Sequence, residues 1–119
     1  MKINPQLYYY LFIVFLLATG SCKPNAKKNN DIDHLLSQPP FSILTDSIKQ
    51  FPGNAALYLE RAQLLSKNNL HEIATMDYER SWELKPDEVT AVQYASNLSI
   101  ISDQDKELKL LQSSTRQFS

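Results

Sequence analysis

A short motif recurs along the chain at a fixed interval. Ser47-Ile48-Lys49-Gln50-Phe51-Pro52 has the same layout as Ser81-Trp82-Glu83-Leu84-Lys85-Pro86, and the two prolines are 34 positions apart. Ser114-Thr115-Arg116-Gln117-Phe118 echoes the first copy again, with Phe118 following Phe51 by 67, one short of two periods. A fixed period of about 20–50 residues marks repeated supersecondary units, each of which buries its apolar face only against its neighbours.

Within the best unit, residues 55–88, the spacing is helical. Tyr58, Ala62 and Leu65 are four and three apart, so they share one helix face, and Ala74, Tyr78 and Ser81 do the same on a second helix. Small side chains at Ala62, Ala74 and Ser81 let two antiparallel helices approach closely. Lys67-Asn68-Asn69 is a polar connector where the chain reverses, and Pro86 cannot continue the helix before it. Asn54 and Asp87 stand where N-caps belong.

This pattern resembles the tetratricopeptide repeat. Tyr58, Ala62, Leu65, Ala74, Tyr78, Ser81 and Pro86 fall on that family's large, small and proline positions with one offset. The resemblance implies an all-α fold of antiparallel helix pairs stacked as a short α-solenoid. It covers roughly residues 40–118 and is strongest over 55–88. Pro40 to Phe51 is expected to be the second helix of a preceding unit, and Asp31 to Gln38 one short turn of helix ended by Pro39. Val89 to Ile101 would be the next first helix, with Ala91, Tyr94, Ala95 and Leu98 on one face and Val92 and Ser96 at the family's positions 4 and 8. Asp105 to Phe118 would be its partner, with Leu108, Leu111 and Thr115 inward. That unit has no further helix to cover it, which suggests a piece of a longer array and marginal stability. A helical bundle without repeat ancestry remains the alternative, and Trp82 is most simply packing.

The N-terminal region sets a location. Leu7 to Ala18 is an apolar run of 12 residues behind Lys2, followed by Thr19-Gly20-Ser21-Cys22. About 20 apolar residues are needed to span a bilayer as a helix, so a run this short fits a signal peptide. Cys22 is the only cysteine. Leu17-Ala18-Thr19-Gly20-Ser21-Cys22 resembles a bacterial lipobox, with Thr19 where that motif carries Leu, Val or Ile. The resemblance implies a signal peptide over 1–21, cleavage after Ser21, and a diacylglyceryl thioether on Cys22 that anchors the protein to a membrane of the cell envelope. An uncleaved anchor helix, or an ordinary signal peptide leaving a free thiol, fits the same layout. Residues 22–33 are expected to be the lipidated cysteine and a flexible linker. The three lysines of Lys23 to Asn30 could reach anionic head groups, although a solvated tether is the plainer reading. The repeat domain then occupies 34–119.

Charge divides along the chain. Residues 1–30 hold four lysines and no acids, whereas residues 31–119 hold 8 basic against 13 acidic residues. An acidic body argues against nucleic acid. With one cysteine no disulfide forms within the chain.

The repeat resemblance implies a partner-binding wall on the first helices: Ala56, Leu59, Gln63, Ser66 and Lys67, then Thr90, Gln93, Asn97, Ile100 and Ile101. Leu59, Gln63, Gln93 and Asn97 would make an amide-bearing groove with apolar spots, suited to an extended peptide backbone. Leu59 and Gln63 depart from the Lys and Asn that some members use to clamp peptide carboxylates. The alternative is a partly buried wall that binds nothing.

Catalytic and metal signatures are missing. The two glycines, Gly20 and Gly53, cannot build a phosphate-cradling loop. His34 and His71 lack paired ligands and are expected on the surface. Asp31-Ile32-Asp33 is expected to be helix-entry charge. Asn97-Leu98-Ser99 matches a glycosylation sequon but lies inside an expected helix. The expected protein is therefore not an enzyme, has no cofactor beyond the lipid on Cys22, and takes a protein or peptide partner. It would act as a membrane-tethered scaffold or assembly adaptor. The alternatives are a packing subunit of an envelope complex with no free groove, or a regulator of a partner enzyme.

Overall fold

The computed structural model describes residues 4–6 and 26–119. Cys22 and all of the 1–21 segment except residues 4–6 lie outside the described residues. Among the described residues the chain is all-helical and has no strand. Six helices follow one another: α1 (Ala26–Leu36), α2 (Ser42–Gln50), α3 (Ala55–Lys67), α4 (His71–Leu84), α5 (Glu88–Ile100) and α6 (Gln104–Phe118). None is long and apolar enough to cross a membrane.

From α2 onward each helix packs mainly on its neighbours in sequence, and the α3–α4 interface is the most extensive. Ala62, Leu65, Ala74, Tyr78 and Ser81 are all buried there, and Tyr58 and Pro86 are half-buried. The Ser81 hydroxyl donates to the Ala55 carbonyl at 3.0 Å, tying the end of α4 to the start of α3. That contact fixes the pair as antiparallel. Tyr78 stacks on Tyr94 of α5 with ring centroids 6.1 Å apart, and Leu98 of α5 and Leu110 of α6 extend the same core. Phe41 closes the core at the other end. Ile43, two residues on, is exposed. Trp82 packs partly buried against this cluster and edge-on to Phe118.

The expected caps are in place. Asn54 Oδ1 accepts the Ala56 amide at 3.1 Å and Asp87 Oδ1 accepts the Thr90 amide at 2.8 Å. The helix pairs turn on one loop design used twice. Leu70 N–H donates to the Leu65 carbonyl and Asp103 N–H to the Leu98 carbonyl, each at 3.0 Å. Asn69 and Ser102 adopt φ of 60° and 59°. This is the 6→1 closure of a helix C-terminus through a left-handed residue.

These landmarks recur one position sooner than the prolines do. Asn54 and Asp87, Asn69 and Ser102, and the starts of α3 and α5 are each 33 positions apart, not 34. Four residues, Phe51 to Asn54, join α2 to α3, but only three, Lys85 to Asp87, join α4 to α5. The proline spacing spans the ends of α2 and α4 and does not carry past this shorter loop. One residue on a helix is a rotation of about 100°, so Val92 and Ser96, at the family's positions 4 and 8, are exposed and the expected inward face of α6 is displaced. The face expected on α5 holds: Ala91, Tyr94 and Leu98 are buried and Ala95 is half-buried. On α6 the expected inward residues Leu108, Leu111 and Thr115 are exposed. Leu110 is buried instead, with Glu107 and Ser114 half-buried three and four residues to either side.

The N-terminal boundary also differs from expectation. The supposed flexible linker through residue 33 is helical from Ala26, and the single turn expected over Asp31 to Gln38 is the end of an 11-residue helix. Ile32, Leu35 and Leu36 explain this. They are half-buried, sit three and four apart on one face, and Leu35 and Leu36 pack against the core. Asp31 and Asp33 are accordingly mid-helix and do not mark a helix entry.

Candidate functional site

Two hydrogen-bonded networks hold the first helices in place. The guanidinium of Arg61 on α3 grips the Asp77 carboxylate on α4 in a two-pronged bond, Nε to Oδ2 at 2.7 Å and Nη2 to Oδ1 at 2.8 Å. Both side chains are at most 10% exposed. Arg61 Nη1 also donates to Thr45 Oγ1 at 3.0 Å, and Thr45 Oγ1 donates to the Leu36 carbonyl at 2.8 Å. The chain of bonds thus runs from the end of α1 through α2 and α3 into α4. Sequence reasoning missed this pair, although the signal was present. Arg61 is three residues after Tyr58, and Asp77 is three after Ala74, so both charges fall on inward faces.

The second network centres on Asn97. Its amide donates to the His71 carbonyl at 2.9 Å and to Thr75 Oγ1 at 2.8 Å, and its oxygen accepts from Ser66 Oγ at 3.1 Å. His71 Nδ1 lies 3.1 Å from the same oxygen. Asn97 is 2% exposed. It is a structural tie between α3, α4 and α5, and its amide is not free for a peptide backbone. The shortened register explains why: the residue matching Gln63 on α5 is Ser96. His71 is likewise half-buried and bonded, against the expectation of a surface histidine.

Between α3 and α5 lies an open groove of about 470 Å³. It brings together Gln63, Gln93 and Asn97 of the expected site, with Asn97 forming its floor beside Tyr78. Gln63 Nε2 donates to Gln93 Oε1 at 2.8 Å, which leaves the Gln63 oxygen and the Gln93 amide nitrogen available for other partners. Leu59 is outside the groove and packs, half-buried, against the core. Of the other expected wall residues, Thr90 is fully buried and Ile101 half-buried. Val92, Ser96 and Ile100 form the wall from α5, and Ser66 and Lys67 the wall from α3. Val92 is 70% exposed, and Val89 and Ile100 are also exposed, so α5 carries an apolar stripe beside the amide pair.

A smaller hollow of about 250 Å³ lies between α4 and α6, lined by Glu79, Trp82, Glu83, Tyr94 and Lys106 among others. Burial, reinforced by Glu79, Asp103 and Glu83, pushes the Tyr94 phenol up to about 12. Tyr94 therefore stays neutral across the physiological range. Among the described residues, no group of three or more His, Cys, Asp or Glu could hold a metal.

The groove offers the Gln63 oxygen, the Gln93 amide nitrogen, the Ser96 hydroxyl, a cation at Lys67 and exposed apolar side chains. Comparison with family models, with curated proteins and with solved structures finds no match to this chain.

Proposed function

We propose that this chain is a membrane-tethered lipoprotein whose tetratricopeptide-like helix pairs hold a protein partner close to the envelope membrane. One observation carries the binding half of this reading: the α3–α5 groove sets the Gln63–Gln93 amide pair beside exposed Val92 and Ile100. Side-chain amides can pair with an extended backbone, and apolar flanks accept alternate side chains of the same segment. The address rests on sequence alone, on the apolar run from Leu7 to Ala18 and the small residues before Cys22.

Photo-crosslinking in bacterial cells tests the groove. A photoreactive residue at Ser96 or Ile100 should yield a discrete protein adduct, and one at Asp46 should not. Equal adducts from all three positions, or none, would refute the groove. Membrane fractionation of a Cys22→Ser chain tests the address. A variant that still partitions into detergent-phase lipid as fully as the parent removes the lipid anchor.

The packing-subunit reading also has an observation in its favour, the exposed Leu108 and Leu111 on α6. Adducts confined to a photoreactive residue at 108 or 111 would select it.

A further inference from the structure

The hollow of about 250 Å³ between α4 and α6 has walls of opposite charge. Glu79 and Glu83, four apart on one face, line it from α4. Lys106, Lys109 and Ser113, three and four apart on one face, line it from α6. Trp82, Tyr94 and Leu110 lie between them. No residue lines both this hollow and the α3–α5 groove. The stacked tyrosines divide the two, with Tyr78 in the groove and Tyr94 in the hollow.

The walls do not satisfy one another. Lys106 Nζ and Glu79 Oε2 stand 3.8 Å apart, beyond hydrogen-bond reach. Glu83 meets Arg80 of its own helix at 3.2 Å in an exposed pair, an interaction of little strength. Among the described residues Lys109 pairs with no acid. Tyr94 is an independent sign of a ligand. It is only 5% exposed, yet among the described residues its hydroxyl has no hydrogen-bond partner. That oxygen is not shut off from solvent, a state found among the described residues for the partnerless Thr90 Oγ1. Burial raises the Tyr94 phenol, and the charges of Glu79, Asp103 and Glu83 raise it further. Its hydroxyl end therefore lies toward the carboxylates that line the hollow. A buried polar group left without a partner is costly, so this hydroxyl favours whatever polar group enters beside it.

We infer that this hollow binds a small zwitterion, a free α-amino acid with an apolar side chain. Its ammonium group would donate to Glu79, Glu83 and the Tyr94 hydroxyl. Its carboxylate would accept from Lys106, Lys109 and the Ser113 hydroxyl, and its side chain would rest on Trp82 and Leu110. The charge pattern selects this class. A simple cation satisfies the α4 wall and meets two lysines on the other, and a simple anion meets two glutamates. Only a dipolar ligand answers both walls, and Lys106 gains a full hydrogen bond in exchange for its long contact with Glu79. Size points the same way, because sites for drug-sized ligands run to roughly 300–1,000 Å³ and this one is smaller. The inference goes beyond the proposed adaptor role and holds whatever the groove takes.

Trp82 is the chain's only tryptophan, so the intrinsic fluorescence of the full chain reads the hollow directly. The probes are leucine, N-acetylleucine, which lacks the ammonium, and leucinamide, which lacks the carboxylate. Leucine should change the Trp82 emission saturably, with a Kd below about 10 mM. Each of the other two should bind about ten-fold more weakly, the loss expected when one charge-assisted contact is removed. Glu79→Gln and Lys109→Gln, at surface positions that leave the core intact, should each weaken leucine about ten-fold, and Tyr94→Phe about three-fold. Gln63→Ala, in the groove, should leave leucine binding unchanged. No saturable change with leucine would overturn the site. Leucinamide binding as tightly as leucine would make it a plain cation site, and N-acetylleucine doing so a plain anion site; either would overturn the inference. An unaltered Kd in both Glu79→Gln and Lys109→Gln would place leucine elsewhere and overturn it as well.

Discussion

The α3–α4 and α5–α6 pairs share one backbone design and differ in what fills it. Both reverse through the same three-residue turn, with a left-handed residue at Asn69 in one and Ser102 in the other. The first pair closes over small residues, with Ala62 and Ala74 fully buried and the Arg61–Asp77 ion pair bridging its helices. In the second pair α6 gives one fully committed side chain, Leu110, and leaves Leu108 and Leu111 facing out. Among the described residues no ion pair joins α5 to α6; Lys106 of α6 instead reaches Glu79 of α4, 3.8 Å away and half-exposed. Turn geometry therefore fixes that two helices lie side by side. The side chains between them fix how firmly.

The sharpest way to break this contrast is at the ion pair. Asp77→Ala would strand a buried guanidinium, and a loss of about 3–5 kcal/mol in urea unfolding is expected. Lys106→Ala, at the exposed pair, should change stability by less than about 1 kcal/mol. Leucine truncations on α6 come next. Leu110→Ala should cost about 2–4 kcal/mol, and Leu108→Ala only a few tenths, because it stands 57% exposed. The register itself can be tested by overpacking. Ala62→Leu should destabilise by about 1–3 kcal/mol, whereas Ser96→Leu, at the site the proline spacing would equate with Ala62, should stay within about 0.5 kcal/mol. A register set by the prolines would make both costly. The smallest effect concerns the turns. Ser102→Gly should raise the melting temperature by a few degrees, about 0.5–1 kcal/mol, since glycine takes φ near 59° without strain.

The central pair was legible in the sequence because its constraints are local. Tyr58, Ala62 and Leu65 repeat at helical spacing, and so do Ala74, Tyr78 and Ser81. Asn54 and Asp87 announce helix starts by chemistry that needs no tertiary context. Helix α6 was misread because it offers Leu108, Leu110 and Leu111 together, and composition cannot choose among three leucines on adjoining faces. Only the register chooses, and the register depends on a loop one residue shorter than its predecessor. The available signs were Phe118, which falls one position short of two periods after Phe51, and the closer spacing of the N-caps Asn54 and Asp87. The groove inherited the same slip. Gln63 and Gln93 meet as expected, but Asn97 turned inward and Ser96 took its place on the wall. Helix α1 escaped notice because Lys, Asn and Asp dominate its sequence, and its stability comes from Ile32, Leu35 and Leu36 resting on the body.

The bond series from the Leu36 carbonyl through Thr45 and Arg61 to Asp77 has a mechanical consequence. A pull arriving from the N-terminal side enters at α1 and meets, at Thr45, a single hydroxyl that carries two bonds in line. The doubly bonded guanidinium beyond it is the stronger link, so strain should release at Thr45 first, and α1 with α2 should peel away while α3 and α4 stay closed. Single-molecule stretching from residue 26 to residue 119 should show two rips, and Thr45→Val should lower the force of the first while leaving the second where it was.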